Sequence, residues 1–240
     1  MEKRIFAHRG LKTKAPENTL AAFRLAAEKG LTWIETDVDI LGDGTPVIIH
    51  DTLLDRTTDR SGYFYDLTQA DLPVDAGTWF SDEYAGEPMP TLRELVDFMN
   101  ETGMNANIEF KANEQGKARS LALIDNVLAE LERLDPEREV IFSSFSHVLL
   151  TYLAQRTDRP IGCLFVTENL WPDWKSVLEL VGAQYIHPQD RGLTREMMQT
   201  FRAAGYGVNV WTVNNADRAN ELFNWGATGV FSDVADELMR

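Results

Sequence analysis

From Thr91 to its end the chain alternates helical and strand-like segments, and this regularity limits its fold more than any other feature. Leu92, Leu95, Val96 and Met99 share a helical face, and residues 106–111 (ANIEFK) follow as a strand. Leu121, Ile124, Leu128 and Leu131 mark the next helix, before a strand over 140–145. Helices over 147–156, 174–181, 195–204 and 217–225 then precede strands over 161–166, 184–187, 207–213 and 229–232. Upstream, residues 3–8 read as a first strand. A helix follows to about Lys29, with Asn18 as N-cap and Gly30 as stop. A second strand starts at Trp33. About eight strands, nearly all followed by helices, in 240 residues predict a single α/β domain, a (β/α)8 TIM barrel. A doubly wound open sheet is the alternative, but no Gly-rich dinucleotide turn follows the first strand.

The second strand carries the first chemical signal. In residues 33–51 (WIETDVDILGDGTPVIIHD), Glu35, Asp37 and Asp39 alternate and so share one strand face. Gly42-Asp43-Gly44 is a turn signal, and the return strand 46–50 ends in His50-Asp51. So short a connection cannot make a parallel crossover, which predicts a hairpin returning His50 toward Glu35 and Asp37. Like charges crowded on one face repel, and a cation between them is the simplest remedy. Residues 52–90 lack sustained periodicity beyond one capped turn at Thr68–Asp71. They carry Tyr63, Phe64, Tyr65, Trp79, Phe80 and Tyr84, and read as an insertion acting as a lid or binding loop.

The net charge of -15 argues against nucleic acid or an anionic membrane surface as partner, yet leaves room for a small phosphate-bearing substrate in a locally cationic cleft. The single cysteine, Cys163, lies in an apolar run and reads as a core residue. The N-terminus has no signal-peptide core and no run is long enough to span a bilayer, so a cytoplasmic setting without stable membrane association is expected.

Active sites of such barrels lie at the C-terminal strand ends. The strand ends here offer His8-Arg9, Glu35 and Asp37, His50-Asp51, Glu109 and Lys111, and Trp211. Three carboxylates suit a divalent metal, Mg²⁺ or Ca²⁺, with Mn²⁺ as a third candidate. Two histidines can divide general base and acid work, and Arg9 and Lys111 can neutralise a phosphate. Asn18 is either a helix cap or a substrate contact, and Trp211 either barrel packing or a pocket wall. Asp39 and Asp51 are candidates to orient a ligand or a histidine, while His147 and His187 read as structural. Together the set describes phosphodiester cleavage.

HRG at His8, PENT at Pro16, ExD at Glu35, HD at His50 and ExK at Glu109, with TVN and VFSD near the end, resemble glycerophosphodiester phosphodiesterases over essentially the whole chain. The resemblance implies a metal-dependent barrel enzyme that releases sn-glycerol 3-phosphate and an alcohol from a small glycerophosphodiester. It implies Glu35, Asp37 and Glu109 as metal ligands, His8 as base and His50 as acid, Arg9 and Lys111 as phosphate contacts, and 52–90 as the family's insertion. Three alternatives remain: a phospholipase-D-like activity on lysophospholipids, a non-catalytic phosphodiester-binding barrel, and a metal-dependent sugar isomerase.

Overall fold

A computed structural model describes residues 3–112 and 114–239. Eight parallel strands close a barrel: β1 (Arg4–His8), β2 (Trp33–Ile40), β4 (Asn105–Phe110), β5 (Val140–Ser144), β6 (Ile161–Phe165), β7 (Tyr185–Pro188), β8 (Gly207–Val210) and β9 (Gly229–Ser232). Pairing runs around the ring in chain order, and β1 closes it by pairing with both β2 and β9. The helices α1 (Leu20–Glu28), α2 (Leu92–Thr102), α3 (Lys117–Glu130), α4 (His147–Leu153), α5 (Trp174–Val181), α6 (Arg195–Ala203) and α7 (Ala216–Trp225) lie between successive strands. The (β/α)8 expectation is met. β3 (Pro46–Ile48) runs antiparallel to β2, making the expected hairpin.

Local chemistry explains the boundaries. Thr91 and Glu94 form a capping box at the start of α2, and Gly103, at φ 77°, ends that helix in the left-handed region. Ser146, Thr194 and Asn215 cap α4, α6 and α7 through their side chains. At α1 the cap is Thr19, whose hydroxyl accepts from Ala22 N, and not Asn18. Asn18 instead has φ 56°, which carries its side chain away from the helix end.

Outward-facing strand residues such as Ile34, Ile108, Phe142, Cys163 and Val208 join helix residues such as Phe23, Leu95 and Ile124 in the main core. Cys163 is thus the core residue its apolar run suggested. Inside the barrel Phe6, Trp33, Ile141 and Phe231 form a separate apolar plug, with Phe6 stacked on Phe231 at 4.5 Å. His187 is fully buried within the barrel, its Nε2 paired with Asn209 Nδ2, and His147 Nε2 donates to the Leu164 carbonyl.

The insertion is irregular but packed. It holds three short 3-10 turns, and the one at Gln69–Asp71 carries the Thr68–Asp71 capping box read in the sequence. Leu54, Phe64, Val74, Ala76 and Met89 form a small core of their own with Leu41, Val47 and Ile49 of the hairpin. Among the described residues no helix is long and apolar enough to cross a membrane.

Candidate active site

The strand register sets the depth of each site residue. His8 pairs with Glu35, and Asp37 with Glu109, across β1, β2 and β4. Neighbouring parallel strands stand about 4.8 Å apart, so inward side chains at matched positions must meet. Glu35, Asp37 and Glu109 do so: one oxygen from each lies within 4.8 Å of the others.

Glu35 and Asp37 are buried and Glu109 is half-buried, and their protonation reflects it. Desolvation, then the charges of Asp37 and Glu109, holds Glu35 well above the usual carboxylate range. Burial and Asp37 push Glu109 up to about 7, although Lys111 opposes them. Burial would raise Asp37 too, but Lys111 and Arg9 outweigh it and hold that carboxyl below its ordinary value. Asp37 Oδ1 is buried and makes no full hydrogen bond, with Lys111 Nζ standing 3.3 Å from it. Three converging carboxylates, two of them with their pKa raised chiefly by burial and further by neighbouring negative charge, fit a hard divalent cation.

The cations and histidines stand around this cluster. Lys111 Nζ donates to Glu109 Oε1 at 2.9 Å and lies 3.3 Å from Asp37 Oδ1. Arg9 Nε is 3.3 Å from Asp37 Oδ2, while its Nη1 donates to Glu17 Oε1 at 2.9 Å. The Arg9 backbone has φ 58°, and Gly10 follows at φ 79°; a Cβ there would sit 2.6 Å from Ala22 Cβ. The HRG motif is therefore a tight turn over α1 that aims Arg9 into the site. Asn18 Nδ2 donates to Asp37 Oδ2 at 2.9 Å and its Oδ1 accepts from Thr36 at 2.9 Å. It holds a carboxylate of the cluster in place.

Each histidine has a carboxylate on Nδ1. His8 Nδ1 is 2.7 Å from Asp233 Oδ1, which Lys12 Nζ also approaches at 2.8 Å. His50 Nδ1 is 2.5 Å from Asp51 Oδ1, the orienting contact expected of Asp51. A carboxylate at Nδ1 fixes the tautomer and leaves Nε2 to face the site. Desolvation lowers the pKa of both rings, against the opposing pull of Asp233 on His8 and of Asp37 on His50.

A cleft of about 270 Å³ opens here, lined on its polar side by His8, Arg9, Glu35, His50, Asn107 and Glu109. Phe145, Leu164, Trp211 and Phe231 form the opposite wall. Trp211 is a wall and packs edge-on against Phe145 at 5.4 Å. Asp37 belongs to the cluster but does not line the cleft, and neither do Lys111 and Asn18, which both contact Asp37. None of the insertion's aromatic residues lines the cleft either: Phe64 is buried in the insertion core, and Tyr65 donates to Asp39. Asp39 is therefore engaged by the insertion and not by the cluster.

Sequence reading did not single out Asp233, Lys12, Glu17, Arg56 or Asn107. Asp233 ends the VFSD segment and Glu17 sits within PENT, so the signal for those two lay in motifs already quoted.

Comparison with known proteins agrees with this geometry. The family described as "Glycerophosphoryl diester phosphodiesterase family" matches residues 8–237. A glycerophosphodiester phosphodiesterase of Caldanaerobacter subterraneus is 31% identical over 242 residues, covering 100% of this chain and 98% of the relative. One from Bacillus altitudinis is 30% identical, covering 99% and 97%. Among solved structures, an Oleispira antarctica phosphodiesterase in complex with its product sn-glycerol-3-phosphate superposes with a TM-score of 0.92 at 33% identity, covering 98% of this chain and 95% of that one. This chain belongs to the glycerophosphoryl diester phosphodiesterase family.

Proposed function

We propose that the protein hydrolyses small glycerophosphodiesters to sn-glycerol 3-phosphate and an alcohol, using a divalent cation at Glu35, Asp37 and Glu109 and the histidines His8 and His50. The observation that carries this reading is the convergence of three carboxylates, Glu35 and Asp37 buried and Glu109 half-buried, with two carboxylate-oriented histidines at one cleft. A 33%-identical phosphodiesterase structure holding sn-glycerol-3-phosphate supports the substrate class.

When bound, the cation would neutralise charge developing on the phosphoryl oxygens, an effect worth several kcal/mol. The remaining work belongs to side chains. Arg9, in the cleft wall, holds the phosphate by charge, and Lys111 adds its charge from beside Asp37 and Glu109; both remain protonated because neighbouring carboxylates outweigh the effect of burial on them. His8 Nε2 takes a proton from the attacking hydroxyl, and His50 Nε2 gives one to the departing alkoxide. Such a division contributes about 10²–10⁴-fold.

No serine or cysteine nucleophile motif accompanies the histidines; Cys163 is buried, and Ser143 Oγ accepts from Asn107 Nδ2 at 2.8 Å. The attacking group in this reading is the substrate's own glycerol hydroxyl beside the phosphoester, already held at high effective concentration. Its oxygen bonds to phosphorus as the alcohol leaves, giving a cyclic phosphate. Water then opens the ring, with His50 as base and His8 as acid. An analogue lacking that hydroxyl should bind with similar affinity and turn over far more slowly. Equal kcat for the deoxy analogue and its parent would rule out this route.

A further inference from the structure

Arg56 of the insertion reaches two carboxylates beside the site. Arg56 Nε donates to Asp51 Oδ2 at 2.5 Å and its Nη2 to Asp51 Oδ1 at 3.1 Å. On its other edge Nη1 donates to Glu17 Oε2 at 2.9 Å, and Nη2 to Glu17 Oε1 at 2.8 Å. Both contacts are bidentate forks, the geometry in which a guanidinium gives direction as well as charge. Each carboxylate so gripped is itself the partner of a site residue. Asp51 Oδ1 is 2.5 Å from His50 Nδ1, and Glu17 Oε1 accepts from Arg9 Nη1 at 2.9 Å. The turn after β1, the end of the hairpin and the start of the insertion therefore meet at a single guanidinium.

An exposed ion pair of this kind adds little to stability, and Arg56 is 46% exposed in its side chain. Glu17, by contrast, is only 10% exposed, and an unpaired carboxylate there would be free to turn onto Arg9 alone or toward solvent. The consequence of the bridge is orientation. Arg56's two hydrogen bonds fix the plane of the Asp51 carboxylate, and with it the oxygen that faces His50 Nδ1.

We propose that Arg56 is a positioning residue for the reaction: its guanidinium fixes Asp51 and Glu17 together, and through them aims the His50 ring and the Arg9 guanidinium at the phosphate. The inference rests on the proposed function and gives the insertion a part in the chemistry that its aromatic residues do not have.

The test uses the full-length protein with glycerophosphocholine and saturating Mg²⁺. Arg56→Ala should lower kcat by about 10–100-fold, the usual cost of losing a group that orients a site residue. KM should rise through the Glu17–Arg9 arm, while Tm moves little. Added guanidinium chloride should restore part of the lost kcat, and sodium chloride at equal ionic strength should not. Arg56→Lys, able to reach one carboxylate but not to fork onto two, should fall between. Asp51→Asn should cost less in the Arg56→Ala background than in wild type, because both changes act on the same ring. Wild-type kcat in Arg56→Ala, a loss without guanidinium rescue, or full additivity with Asp51→Asn would each overturn the inference. An inactive wild-type enzyme would overturn the proposed function instead.

Discussion

The two histidines of the cleft are held by different parts of the molecule. His8 ends a central strand, and its partner Asp233 lies 225 residues away, so the pair exists only when β1 and β9 close the barrel. His50 stands at the end of a hairpin, and its partner is the next residue. The first pair is the more enclosed, with His8 17% and His50 32% exposed in their side chains. A barrel strand thus fixes one proton carrier by global closure. A local loop fixes the other, supported from outside by Arg56. The barrel half holds the residue proposed as base, beside Glu35, and the loop half holds the residue proposed as acid.

The largest effect should come from breaking this pair one member at a time. His8→Ala and His50→Ala should each lower kcat on glycerophosphocholine by about 10²–10⁴-fold. A substrate with a p-nitrophenol leaving group, which departs without protonation, should recover most of the loss in His50→Ala and little in His8→Ala. The reverse pattern would exchange the two roles.

A smaller effect distinguishes how the rings are held. Asp233→Asn and Asp51→Asn should each reduce kcat, by up to about 10–100-fold. Asp233→Asn should also lower Tm, because Asp233 accepts from Lys12 and Asn214 as well as His8 at the barrel seam. Asp51→Asn should leave Tm nearly unchanged. Thermal melts beside the kinetics would sharpen the contrast, and equal Tm losses would erase it.

The smallest effect concerns the carboxylate cluster that both halves face. A carboxyl raised on folding supports the fold below its unfolded value, and that support is lost as pH rises through the folded value. Glu109 is raised from 4.5 to about 7 by burial and Asp37, and Glu35 is raised as well. Metal-free protein should therefore lose stability between about pH 4.5 and 7, at roughly 2–4 °C per kcal/mol. Asp37, held low by Lys111 and Arg9, runs oppositely and matters only in stronger acid. Glu109→Gln or saturating Mg²⁺ should flatten the slope, as a pH series of melts would record. A flat metal-free profile would contradict the repulsion described here.

The barrel was legible because its strands and helices obey two different periods, and Glu35, Asp37 and Glu109 were legible because apolar strands rarely end in carboxylates. Alternation gives a face but not a depth. Asp39 shares the face of Asp37, yet stands about 6.6 Å further along the strand, where β2 pairs with the hairpin and Tyr65 takes its carboxylate. Asn18 reads as a cap because Asn caps helices; its φ of 56° is a tertiary choice that serves Asp37. Asp233 had no partner in view until the barrel closed. Arg56 lies in a segment whose packing follows no repeat, so nothing local marked it.

The central claim is that the three carboxylates hold a cation the reaction requires. Metal-stripped enzyme should be assayed for sn-glycerol 3-phosphate release from glycerophosphocholine in excess EDTA, then with Mg²⁺, Ca²⁺ or Mn²⁺ restored. The expected result is no release in EDTA and recovery with at least one of these ions, lost again in Glu35→Gln, Asp37→Asn and Glu109→Gln. Full activity in excess EDTA would contradict it.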